Sequence, residues 1–246
     1  MSKKLIYYWY VHKTGWNALY DLHIHFLKRY KERFDEQLFI ISVDQDTRKD
    51  YIVNVINAIK NIFPDAEIME YQNDPVLRES KYFYNEIATK LNELGDRWIF
   101  FAHNKGIDTW YAKPEILKGW IEGMYFMNLN YIDLIEEQMS HNTTCVIGTY
   151  LITCLKAWPW LRYNWHFSGT YWWFNPKRIS KLMYEKGTYL PSNNSRYFTE
   201  GCWGTCIPDN DKYRKPALGM YEANWRYGYS WMPEYMKIDL FNGRVG

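Results

Sequence analysis

Four clusters of polar residues each follow a run of apolar ones: Tyr10 and His12, Asp44-Gln45-Asp46, Asn73-Asp74 with Arg78, and His103-Asn104-Lys105-Gly106. The last has the makings of an anion site. Lys105 supplies a cation and Gly106 lets backbone N–H groups approach closely, which suits a phosphate group on which negative charge develops. His103 and Asp108 are the candidate ligands of a divalent ion, Mn2+ or Mg2+, that would share that charge. A surface turn with a solvated Lys105 is the plain alternative. Tyr10 and His12 can line a slot for a base, and Asp74 and Arg78 can meet ribose or phosphate; loop polarity or packing is the alternative for each. Asp44 and Asp46 form a second acidic pair for a metal, but a polar turn with Asp46 or Thr47 capping the next helix explains them better. His23 and His25 stand two apart on a helix, diverge, and read as structural.

The first hundred positions alternate strand and helix, the pattern of a mainly parallel sheet covered by helices. Strands are expected at Leu5 to Val11, Leu38 to Val43, Ala66 to Glu70 and Arg97 to Ala102, the last being the central one. Helices are expected at Asn17 to Phe34, Tyr51 to Phe63 and Lys81 to Leu94, from apolar residues three and four apart. The polar clusters then fall at the carboxyl ends of the strands, where sheets of this kind bind ligands. Beyond residue 113 the rhythm changes: a long helix from Pro114 through Gln138, a strand over Thr143 to Ile152, then loops and short strands around one helix at Pro176 to Tyr184.

Composition narrows the function classes. The net charge of +2 and the interspersed charges give no basic surface for duplex nucleic acid. Single-stranded nucleic acid would also need a basic groove beside its stacking aromatics. There is no apolar run of about 18 residues and no signal-like start, so no transmembrane segment is expected and the protein reads as cytoplasmic. Cys145, Cys154, Cys202 and Cys206 fit reduced thiols, and Cys202-x3-Cys206 lacks a second pair to close a zinc site. Aromatic residues make up 20% of the chain, with 13 Trp and 23 Tyr, which suits sugar rings, nucleobases or a tryptophan-rich core.

The most distinctive stretch is His166-Phe167-Ser168-Gly169-Thr170-Tyr171-Trp172-Trp173. Through it the chain resembles a family of bacterial, algal and viral glycosyltransferases of GT-A type. In that family a segment written HFSG-x-[FY]-WW follows a strand of the second half, and an HTKG-like turn ends the strand where other GT-A enzymes carry Asp-x-Asp. Here the turn is His103-Asn104-Lys105-Gly106, with Asn104 in place of the usual threonine, and Phe198-Thr199-Glu200-Gly201-Cys202-Trp203 resembles the family's acidic-plus-tryptophan segment.

The resemblance implies an α/β fold with a GT-A-like, mostly parallel central sheet flanked by helices and an irregular, aromatic-rich C-terminal part. It implies one domain over 1–246, with a nucleotide-binding half (1–113) and an acceptor-side half (114–246). The implied activity is transfer of a sugar from a nucleoside-diphosphate sugar to a glycan hydroxyl. Glu200 is then the base that takes the acceptor's proton and His166 the second candidate; a surface glutamate and a structural histidine are the alternatives. Ser168 and the amide of Gly169 join the donor site, and Trp172, Trp173 and Trp203 offer stacking faces to the acceptor. Adjacent residues of a strand point to opposite faces, so one of Trp172 and Trp173 should be core and the other face the site. The competing reading is a non-catalytic carbohydrate-binding protein that uses the aromatic surface alone.

Overall fold

The computed structural model describes residues 1–14, 18–104, 114–149, 151–152, 165–167, 169–193, 197–208 and 212–216. Strand β1 (Lys3–Val11) leads through helix α1 (Ala18–Arg29) to β2 (Glu36–Val43), and α2 (Lys49–Ile62) leads on to β3 (Glu67–Gln72). Helix α3 (Glu79–Tyr82) runs into a wide turn at Phe83–Ile87 and a tight one at Ala88–Lys90 before β4 (Trp98–His103). The strands β1, β2 and β4 are covered on both faces, which is why they read as continuous apolar runs rather than as alternating ones. The edge strand β3 is largely exposed, with only Ile68 and Tyr71 half-buried.

In the second half come α4 (Pro114–Leu129), α5 (Ile132–Ser140), β5 (Val146–Gly148), β6 (Leu151–Ile152), β7 (His166–Phe167), β8 (Trp172–Phe174), α6 (Pro176–Lys186), α7 (Phe198–Cys206) and β9 (Arg214–Pro216). The single helix expected from Pro114 to Gln138 is two helices. At Tyr131 the backbone leaves helical geometry (φ −94°, ψ 47°), and α5 restarts with Ile132, Ile135 and Met139 inward. The strand expected over Thr143 to Ile152 is likewise two, and α7 stands where only loops and short strands were expected.

Seven strands form one mixed sheet in the order β3-β2-β1-β4-β8-β5-β9, and β6 and β7 form a separate antiparallel pair. The strands β3, β2, β1 and β4 are mutually parallel, and β4 is the middle strand of the seven, as expected from its sequence. The strand β8 inserts antiparallel between β4 and β5, pairing Phe101 and Gly148 with Trp172 and pairing Ile99 and Val146 with Phe174. One face packs Leu5, Tyr7, Trp9, Phe100 and Trp173 against α1, α2 and α4. The other packs Ile6, Tyr8, Phe101, Trp172 and Phe174 against α3, α6 and α7. Among the described residues no helix is long and apolar enough to cross a membrane.

Candidate functional site

The sheet grows from β1 toward β2 and β3 on one side and toward β4 on the other, so its topological switch point lies between the carboxyl ends of β1 and β4. The last Cα pair of the two strands is Tyr8 with His103. Asn104 adds one more rung. Its Oδ1 accepts from the Tyr10 backbone N–H (2.8 Å), its Nδ2 donates to the Tyr10 carbonyl (2.8 Å), and its own N–H donates to the Tyr8 carbonyl (3.3 Å). A carboxamide reproduces a peptide unit in this way; the threonine of the resembling family has no amide to do so.

Beside this rung the ends of β1, β2 and β3 are joined by side chains. Tyr10 Oη donates to Asp44 Oδ2 (2.5 Å), Asn73 Nδ2 donates to Asp44 Oδ1 (2.8 Å), and Asn73 Oδ1 accepts from Tyr8 Oη (3.3 Å). Ser42 Oγ lies 2.5 Å from Tyr8 Oη and extends the chain of contacts into the sheet. The rings of half-buried Tyr10 and His12 meet edge to face at 6.0 Å, with His12 Nδ1 2.7 Å from Thr14 Oγ1. The polar turn after β2 closes on Thr47, whose Oγ1 accepts from Asp44 N–H (3.0 Å). The cap expected from Asp46 or Thr47 is not made: Arg48 is the N-cap of α2 and gives it no side-chain bond.

Asp74 is engaged within its own turn. Its Oδ1 accepts from the N–H groups of Leu77 (2.8 Å) and Val76 (2.9 Å), and its Oδ2 accepts from Lys81 Nζ (3.0 Å). The Leu77 N–H, then Lys81 and the Val76 N–H, hold its carboxyl below the usual carboxylate range. Arg78 follows at a positive φ of 52°.

At the end of β4, His103 Nδ1 lies 3.5 Å from Glu79 Oε1, both side chains being largely buried. The His103 carbonyl accepts a hydrogen bond from Tyr171 Oη. Because β8 runs against β4, its entrance, Gly169-Thr170-Tyr171, lies at this same end of the sheet. Gly169 has φ 104°, and a Cβ there would stand 2.6 Å from Met124 Sδ and 3.1 Å from the Trp120 ring, so only glycine fits. The two distinctive stretches of the sequence therefore meet in space through His103 and Asn104 on one side and Gly169 through Tyr171 on the other. Lys105, Gly106, Asp108 and Ser168 lie outside the described residues.

The helix α7 brings Glu200 to His166. His166 is buried, its Nδ1 has no hydrogen-bond partner among the described residues, and burial pushes its imidazole below the ordinary value while the Glu200 carboxylate opposes the shift. The helix is tied to α3 by Ser80 Oγ and Thr199 Oγ1, 2.5 Å apart, with the Thr199 N–H donating to Ser80 Oγ (3.3 Å). Glu79 and Glu200 thus flank one buried contact.

Trp172, Trp173 and Trp203 do not offer the stacking faces expected of them. Trp172 and Trp173 do take opposite faces of the sheet, but both faces are core, and all three indoles are at most 1% exposed. Among the described residues no three His, Cys, Asp or Glu side chains converge as a metal site, and His103 faces Glu79. Cys202 and Cys206 are buried in the core, Cys206 Sγ donating to the Cys202 carbonyl. Glu79 is the participant that sequence reasoning missed, and Asn73 and Tyr171, though they stand in the singled-out stretches, had no role there, since each contact is made by a distant pairing rather than by a local pattern. No protein-family model matches the chain, and no curated protein matches it in sequence.

Proposed function

We propose that this chain is a glycosyltransferase that moves a sugar from a nucleoside-diphosphate sugar to a hydroxyl of a glycan acceptor. The observation that carries the reading is the meeting of His103 with Tyr171, one residue from each distinctive stretch, at the carboxyl end of the central strand, next to the switch point of its parallel part. The donor then lies across the ends of β1 and β4. Tyr10 and His12 line its base side, Lys105, Gly106, Ser168 and Gly169 meet its phosphates, and Arg78 approaches from α3. Glu200 takes the proton of the acceptor hydroxyl, with His166, kept neutral by burial, as the second proton acceptor.

A purely glycan-binding role has less support, because the described tryptophans that would carry it are core. It predicts that free glycans raise the melting temperature and nucleotides do not.

The experiment is a panel of nucleoside diphosphates and their sugars, with and without Mn2+, read by thermal stabilisation and by donor turnover. A cognate nucleotide at a hundred times its Kd should stabilise the fold by about 2.7 kcal/mol. Glu200→Gln should keep that stabilisation and lower turnover by about 100-fold or more. Indifference to every nucleotide overturns the reading.

A further inference from the structure

The pair formed by Glu79 and His103 is fixed from several directions. His103 Nδ1 and Glu79 Oε1 are 3.5 Å apart, with side-chain exposures of only 9% and 17%. A carboxylate so far out of water needs a polar partner, and the imidazole stands where one is required. On one side of Glu79, fully buried Ser80 meets Thr199 through its hydroxyl and accepts at its carbonyl from Asn193 Nδ2 (3.0 Å). On the other side, Arg78 holds a backbone conformation (φ 52°) that side-chain-bearing residues adopt only where their surroundings impose it. His103 is held through its carbonyl by Tyr171, whose hydroxyl is also 3.4 Å from Nδ1 of buried His23. Neither partner is a loosely placed surface group.

A carboxylate facing Nδ1 favours the tautomer that carries its proton there, which leaves the lone pair on Nε2. We infer that Glu79 is a positioning residue for His103: it sets the Nδ1-protonated tautomer and so makes Nε2 the electron-pair donor of the ring at the end of β4. At 3.5 Å the carboxylate acts on Nδ1 as an ion-pair partner at the long limit of a hydrogen bond. The inference rests on the reading of His103 as a donor-side residue of a glycosyltransferase.

The test uses the full chain labelled with 15N-histidine, the His103 signals being assigned by their loss in His103→Asn. Two-bond 15N–1H correlations report the tautomer. Wild type is expected to show a protonated Nδ1 and an unprotonated Nε2 at His103. Glu79→Gln keeps that state, because the amide oxygen still accepts from Nδ1, and Glu79→Ala loses it. In turnover, Glu79→Ala should lower kcat by about 10- to 100-fold with donor KM unchanged, and Glu79→Gln should recover part of the loss. Should the alanine variant not fold, Glu79→Met, similar in bulk and without an acceptor, replaces it. An identical His103 tautomer in wild type and in the variant lacking the acceptor overturns the inference, whatever happens to turnover. If wild type binds and turns over no nucleotide sugar, the glycosyltransferase reading fails, and the spectra still decide the pair.

Discussion

His166 and Asn104 are the two residues whose roles follow most directly from their surroundings. Burial lowers the His166 pKa from its ordinary 6.5. Between its folded value and about 6.5 the unfolded chain therefore holds more protons than the folded one, so stability rises with pH through that window and falls as the pH is lowered through it. Melting temperatures measured from about pH 8 down to about pH 5 should drop across the window in wild type and drop less in His166→Gln. Asp74 acts in a separate range: its pKa is depressed from 3.8, so the stability it confers is present above that value and is lost only as the pH falls through its folded pKa. Asn104 joins the backbone N–H and the carbonyl of one residue of β1, Tyr10. Asn104→Ala takes the partner from the N–H, while the carbonyl keeps the Tyr20 hydroxyl (3.0 Å), and should cost about 1–3 kcal/mol in urea unfolding. Asn104→Asp should not rescue the loss, because a carboxylate would face the Tyr10 carbonyl.

Helix α7 shows how an element can be held by one missing atom. A Cβ on Gly204 would stand 1.7 Å from the Trp165 carbonyl oxygen, a backbone atom that cannot swing aside. Gly204→Ala should therefore push α7 off β7 and destabilise by about 1–3 kcal/mol or more, read as a lower urea midpoint. Turnover should fall with it, since the same helix carries Glu200. This element also marks the limit of what the sequence displayed. The run Phe198 to Cys206 contains two glycines and is buried nearly all round, so it has neither the propensity nor the apolar stripe that announces a helix. By contrast, α2 buries Val55, Ile59 and Ile62 on one side, and the strand at Leu38 to Val43 is one apolar block, so both were legible. The carboxyl-end clusters around Tyr10, Asp44 and His103 were legible for the same reason, being polar punctuation after apolar runs. The Glu79–His103 and Ser80–Thr199 contacts were not, because they arise from the packing of α3 and α7 on the sheet rather than from spacing along the chain.

At the scale of the whole molecule the sheet is a partition between two aromatic cores, and its stability should be symmetric about that partition. Trp172 and Trp173 are neighbours in sequence that fill different cores, each fully buried. Trp172→Ala and Trp173→Ala should each cost about 3–5 kcal/mol in denaturant unfolding, although one hole opens beneath α3 and α7 and the other beneath α4. A large loss from one variant and none from the other would show that only one layer supports the fold. The antiparallel entry of β8 has a consequence for the chain's birth. The central strand, buried along its whole length in the finished protein, waits for its neighbour until residues 172–174 have been synthesised. Ribosome-bound or truncated chains ending near residue 145 would hold an apolar strand with one bare side, a template for pairing with other chains. Such fragments should precipitate or bind chaperones, and extending them past α6 should restore solubility.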